Sequence, residues 1–142
     1  MRPLIAIAAL ALASGCAKQP LTDAQQAARA ERDARLDEDE RDALAGLTPG
    51  QPQACIPINQ SRSTTFIGDR TILYRVNQNL IYRNDPPNGC PGLRRGMTII
   101  TRTPGTQLCR GDIVRVADLV AGIKAGGCGL GDFVPYRRDA AD

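Results

Sequence analysis

Histidine and tryptophan are both missing from this 142-residue chain, and its aromatic residues are only two phenylalanines and three tyrosines. Without histidine the chain lacks the commonest general base at neutral pH and the commonest nitrogen ligand for a metal. Glutamate is confined to positions 31, 38 and 40, so residues 55–142 have aspartate as their only acidic side chain. Ser61 and Ser63 therefore have no histidine to activate them, and no known motif surrounds either serine paired with Lys124. No CxxC occurs, which removes the usual thiol–disulfide exchange motif. The glycine-rich CGLGDF (128–133) lacks the GxGxxG or GK[ST] pattern of a phosphate loop and reads as a place where a turn and a disulfide pack closely. These absences argue against an enzyme and against a bound cofactor. A hydrolase of unrecognised type is the least favoured reading.

Long apolar runs are also scarce. The one run of note is Leu4 to Ala13, ten residues without a polar side-chain atom, preceded by Arg2. Spanning a bilayer takes about 20 such residues, whereas the core of an export signal takes about 7–15. The segment is expected to be an export signal. Two cleavage readings compete. ALA (11–13) fits the small-x-small rule and would leave Ser14 first, whereas ASGC (13–16) resembles the lipobox of bacterial lipoproteins. In that lipobox the usual leucine sits one place early, as Leu12. The second reading is preferred, because a lone cysteine directly after an export core has few other uses. It makes Cys16 the lipidation site and the protein a periplasm-facing, lipid-anchored envelope protein, since two or more acyl chains hold stably where one is marginal. Ala17, in place of aspartate, points to the outer membrane under enteric-type sorting.

The charge is modest but uneven. Residues 17–54 carry five basic and eight acidic side chains, and residues 55–142 carry twelve basic and seven acidic. A net +3 does not imply a nucleic-acid partner. Thr22 and Gln25 form a possible capping box ahead of some twenty strong helix formers. The large apolar residues there, Leu21, Leu36, Leu44 and Leu47, make no continuous stripe, so a solvated helix or disordered stalk is expected. The alternative is a partner-binding helix. Gly46, Pro49, Gly50 and Pro52 suggest a turn-rich hinge after it.

From Cys55 onward the pattern becomes one of short strands. STTFI and TILYRV flank Gly68-Asp69, a pair suited to a type II′ turn, and NQN (77–79) turns the chain into LIYR. MTIITR (97–102), DIVRV (112–116) and DFVPY (132–136) complete six strands, with Pro135 placing the last at an edge or bulge. LVAGIKAGG is undecided between a helical turn and a loop. The fold class expected is all-β, a small disulfide-stapled roll or barrel of about six strands behind a signal peptide and a charged stalk. The organisation is then signal peptide 1–15, lipidated cysteine and stalk 16–54, β domain 55–138, and tail 139–142.

Setting Cys16 aside, four cysteines remain, at 55, 90, 109 and 128. An even number in a small exported domain with a meagre apolar core predicts two disulfides. Zinc-binding cysteines usually come two to four residues apart, and these are separated by 35, 19 and 19 positions. Of three possible connectivities, Cys55–Cys128 with Cys90–Cys109 is preferred, the inner pair bracketing strand 97–102 and the outer pair tying the domain's entry to its last strand. NDPPNG (84–89) has oxygen donors in Asn84, Asp85 and Asn88 but too few carboxylates for a calcium loop, and it reads as a turn. No metal site is expected.

Arginines recur along the strands at 62, 70, 75, 83, 94, 95, 102, 110 and 115. Arg62, Arg75, Arg83 and Arg102 are candidates for a face that binds anionic envelope components, such as lipid phosphates or acidic glycans. The plainer explanation, favoured on sequence alone, is compositional bias with solvated arginines. RS (62–63), DRTILYR (69–75), YRNDPPNGCPGL (82–93), QLCRGDIVRV (107–116) and CGLGDFVP (128–135) together resemble a family of small proteobacterial envelope proteins, often predicted lipoproteins, that carry a domain of unknown function. The resemblance covers the β domain and implies its limits and compartment, with no assigned ligand or catalytic residue. The leading expectation is a lipid-anchored binding or interaction module of the envelope, whose partner is an envelope protein or an anionic glycan or lipid. The alternative is a structural or assembly accessory acting through the stalk.

Overall fold

The structure is a computed structural model that describes residues 20–103 and 105–139. The export segment, both cleavage readings and Cys16 lie outside the described residues. Helix α1 (Asp23–Ala43) opens on the expected capping box: the Thr22 hydroxyl accepts from the Gln25 N–H, and the Gln25 side chain accepts from the Thr22 N–H. Ten strands follow: β1 (Thr48–Pro49), β2 (Cys55–Pro57), β3 (Ser63–Ile67), β4 (Thr71–Asn77), β5 (Leu80–Asn84), β6 (Thr98–Thr101), β7 (Gln107–Cys109), β8 (Ile113–Asp118), β9 (Ile123–Gly129) and β10 (Phe133–Arg137). They form three antiparallel sheets, β1-β10-β5-β4-β3, β2-β7 and β6-β8-β9. The all-β, disulfide-containing fold is the one the strand pattern predicts, with more strands than the six expected.

Alternation along each strand decides which side chains go inward. Ile72 and Tyr74 from β4, Tyr82 from β5 and Phe133 from β10 meet Ile56 and Leu108 from β2 and β7, and Val114 and Val116 from β8. The Tyr74 and Phe133 rings meet at a tilt with centroids 5.7 Å apart. The opposite face of the five-stranded sheet is also covered. Ile67, Leu73 and Ile81 project outward there and pack with Leu44, and Leu36, Ala43, Leu47 and Tyr136 close the patch. Helix α1 therefore lies along the sheet. None of its residues is fully buried, as its sparse apolar positions imply, but Leu36 and Ala43 from its C-terminal half dock on the sheet together with Leu44 just past its end. Ion pairs run along the same contact, joining Arg32 to Asp69 (3.8 Å), Asp37 to Arg70, and Glu40 to Arg83 (3.0 Å).

The expected hinge is instead part of the sheet. Thr48 and Pro49 pair with Arg137 and Tyr136, and the Gln53 N–H donates to the Phe133 carbonyl at 2.8 Å. The β structure thus begins at Thr48, ahead of the boundary expected at 55. That pairing also places β10 inside the sheet and not at its edge. Residues in an antiparallel ladder direct N–H and C=O to the same neighbour. The Pro135 carbonyl accepts from Gly50 at 2.7 Å, so its missing donor faces the two-residue β1 and leaves the β5 ladder intact.

The disulfides differ from the preferred pairing. Cys55 bonds Cys109 and Cys90 bonds Cys128, replacing Cys55–Cys128 and Cys90–Cys109. Cys55 and Cys109 sit directly opposite each other on β2 and β7, two short strands the sequence pattern does not reveal. The Arg110 N–H donates to the Ala54 carbonyl beside them (2.7 Å), which makes theirs a non-hydrogen-bonded pair, the position where facing side chains come closest. Their Cα atoms are 4.0 Å apart, and those of Cys90 and Cys128 are 4.9 Å apart. The second distance is in the usual range for a disulfide, and the first is a little shorter. The second bridge fastens the 90–93 loop over β9, where backbone approaches leave no room for Cβ atoms. A Cβ on Gly92 would lie 2.2 Å from the Ala125 carbonyl oxygen, and one on Gly126 would lie 2.3 Å from that of Pro91.

The segment left undecided, LVAGIKAGG, is the turn of the β8–β9 hairpin and most of β9. The Gly68-Asp69 turn forms with Gly68 at φ 59°, and Arg70 adds one residue so that Ile67 pairs with Thr71.

Candidate functional site

The four arginines proposed as an anion-binding set do not share a surface. Arg83 stands on the helix-bearing face of the five-stranded sheet between Glu40 (3.0 Å) and Asp85 (2.9 Å), and it also donates to the Tyr136 hydroxyl (3.3 Å). Partial burial works against its charge, but the Tyr136 hydrogen bond and the two carboxylates outweigh that and raise its pKa above the ordinary value. It is a cation already neutralised, and it does not belong to an anion site. Arg75 is on the same face of β4, where its backbone carbonyl accepts from the Arg62 N–H at 2.8 Å. Arg102 is elsewhere, one residue past β6 on the three-stranded sheet.

Around Arg102 the structure assembles a different set. The outer face of β6-β8-β9 forms a groove of about 570 Å³, lined by Ile100 and Arg102 from the β6 side, Ile113 and Arg115 from β8, and Lys124 from β9. Ile100, Arg115 and Gly127 make one cross-strand row, and Ala117 pairs with Lys124 in the next. Gly126 and Gly127 add no side chains to the floor. Among the described residues, no ion pair engages Arg102, Arg115 or Lys124. The two aspartates at the ends of β8 serve the backbone: Asp112 accepts from the Cys109 N–H, and Asp118 accepts from the Val120 and Ala121 N–H groups. The clefts beside the helix each contain a carboxylate, from Asp39, Asp69 or the Asp37, Glu40 and Asp85 group, whereas the groove has none.

Large apolar side chains are exposed on and beside this face. Ile113 is 62% exposed in the groove, and Leu119, Val120 and Ile123 at the hairpin tip are 65%, 100% and 59% exposed. The aromatic side chains are placed elsewhere. Phe66, Tyr74, Tyr82 and Phe133 face the core and Tyr136 lies against the helix patch, so the groove has no ring on which a sugar would stack.

The remaining motifs are structural. Asn84 is fully buried and bridges NDPPNG to CGLGDF: its Nδ2 donates to the Gly131 carbonyl (2.7 Å) and the Asp132 carbonyl (3.2 Å), and its Oδ1 accepts from the Gly131 N–H (3.1 Å). Asp85 accepts from the Thr71 hydroxyl at 2.7 Å. CGLGDF is the close-packed turn its glycines suggest, since a Cβ on Gly131 would lie 2.4 Å from the Asp85 carbonyl oxygen. The Tyr74 hydroxyl is buried without a hydrogen-bond partner among the described residues, and burial raises its pKa.

Arg115 was legible as the outward residue of the alternating DIVRV, but nothing in the sequence marked it above the other arginines. Lys124 was missed as a surface residue of the site because the glycines around it hide the period-2 pattern of β9. Comparison with protein-family models, with curated proteins and with solved structures finds no match to this chain. Among the described residues no helix is long and apolar enough to cross a membrane.

Proposed function

We propose that this is a lipid-anchored, periplasm-facing envelope protein, held through Cys16 in the outer membrane, whose β domain binds anionic envelope components and catalyses no reaction. The observation that carries the binding role is the groove of β6-β8-β9, where Arg102, Arg115 and Lys124 converge with no carboxylate in the lining. Cations that have no protein partner and share an apolar-walled surface attract phosphate or carboxylate groups, with an affinity that salt weakens. The export-type run Leu4 to Ala13 and the lipobox-like ASGC (13–16) support the compartment. The alternative of an accessory working through the helix loses ground, because Arg32, Asp37 and Glu40 already engage the helix's own sheet.

The test is retention of the full chain on a sulfated dextran, a soluble polyanion without lipid. Changing Arg102, Arg115 and Lys124 together to glutamine should weaken retention strongly, and raising the salt should do the same. Retention unaffected by both would sink the reading. For the anchor, Cys16→Ser should abolish incorporation of labelled palmitate and release the protein from the membrane fraction.

A further inference from the structure

The geometry points to the β8–β9 hairpin as a membrane-contacting element. Its tip (Leu119, Val120 and Ile123) enters the interfacial layer of an anionic phospholipid leaflet, and Lys124, Arg115 and Arg102 meet the lipid phosphates. This rests on the anionic reading of the groove and commits it to one occupant, a lipid surface.

Four observations converge on it. First, the tip is aliphatic and unpacked: Val120 is fully exposed, and Leu119 and Ile123 are more than half exposed. A turn placed in water favours polar residues and glycine, so three large aliphatic side chains at one turn need a partner. Second, two N–H groups of the turn already have a partner. Asp118 Oδ1 accepts from the Val120 and Ala121 N–H groups, both at 3.0 Å, so two donors that would resist leaving water are paired before any contact is made. Third, behind the tip the cations outnumber the Asp118 carboxylate, which the turn N–H groups hold. Ile123 pairs with Asp118 at the end of the ladder, Lys124 with Ala117 in the next row, and Arg115 with Gly127 further down. A tip at the boundary between headgroups and acyl chains therefore brings the cations toward the phosphates, where lysine and arginine stems lie along apolar surface while their heads stay hydrated. Fourth, the exposed set contains no aromatic ring, which disfavours an acidic glycan as the occupant.

The chain has no tryptophan, so Val120→Trp in the full chain gives a single fluorescent reporter at the tip. The protein is reconstituted with vesicles of phosphatidylcholine alone and of equal parts phosphatidylcholine and phosphatidylglycerol, and Gln78→Trp in the β4–β5 turn serves as the control. Expected with the anionic vesicles is a blue-shifted emission from position 120, quenched by lipids brominated in the acyl chain, with position 78 unaffected. Replacing Arg102, Arg115 and Lys124 by glutamine should raise the phosphatidylglycerol content needed for insertion and weaken it by about five-fold per cation. Both reporters must retain the two disulfides. Water-like, unquenched emission from position 120 on both vesicles overturns the proposal, as does equal quenching at position 78. If insertion fails while the charge-dependent retention on sulfated dextran persists, the lipid assignment falls and the anionic groove stands. If both fail, both fall.

Discussion

Replacing Asn84 by alanine should destabilise the β domain far more than its single side chain suggests. Asn84 is fully buried, and its amide satisfies both the N–H and the carbonyl of Gly131 while also donating to the Asp132 carbonyl. The alanine variant leaves the two buried Gly131 groups without partners, at about 1–3 kcal/mol each, so a loss of about 3 kcal/mol is expected after partial relaxation. With a urea slope of about 1.5 kcal/mol per molar, the unfolding midpoint of the oxidised protein should fall by about 2 M while the slope stays constant. Asn84→Asp refines the test. An ionised carboxylate there would face two carbonyl oxygens, so burial and repulsion should lift its folded-state pKa above the unfolded value of about 3.9. Between those two values the folded state binds the extra proton, so the variant should lose stability as pH rises from about 4 through the folded-state pKa, relative to the parent protein. A stability within 1 kcal/mol of the parent for Asn84→Ala, or the absence of that pH dependence for Asn84→Asp, would refute the account of Asn84 as a bridge between two loops.

Non-reducing peptide mapping should recover Cys55 joined to Cys109 and Cys90 joined to Cys128, and a Cys90–Cys109 peptide would contradict the strand register described above. Gly126→Ala should cost about 2–3 kcal/mol in urea unfolding, because the Gly126 φ of 149° and the nearby Pro91 carbonyl both oppose a Cβ. Gly129→Ala, whose Cβ would meet only Ile113 Cδ1 at 3.6 Å, should stay within about 0.5 kcal/mol. Leu44→Ala should cost about 2–3 kcal/mol, as a buried leucine of the helix-side cluster, and a smaller effect would mean that the helix is only loosely held. A double-mutant cycle of Glu40→Gln with Arg83→Gln should show a coupling of about 1 kcal/mol, since both side chains are less than one-third exposed, and zero coupling would argue against docking in solution.

How much was legible depended on how local the signal is. The capping box before α1 needs only Thr22 and Gln25, three residues apart, and it forms as read. The β3–β4–β5 meander was equally readable, because alternation and tight turns are set by neighbouring residues. Strands β2 and β7 were not, since three residues apiece carry no periodicity and exist only because each finds the other. The disulfide pairing failed for the same reason: it depends on that register and not on spacing. β9 was hidden by glycines whose purpose is visible only where the 90–93 loop crosses them.

By itself the sequence determined the compositional limits of this protein. The absence of histidine, the four domain cysteines, the alternating strands and the well-capped helix follow from residue identity and short-range sterics. The tertiary structure alone decided which arginines are available. Arg83 and Arg102 look alike in sequence, each the last or near-last residue of a strand. Folding places one between Glu40 and Asp85 under a helix and leaves the other beside Arg115 and Lys124 with no carboxylate in the groove. The physical reason is that charge acts through space over a few ångströms, and the partners that quench or reinforce it come from distant parts of the chain.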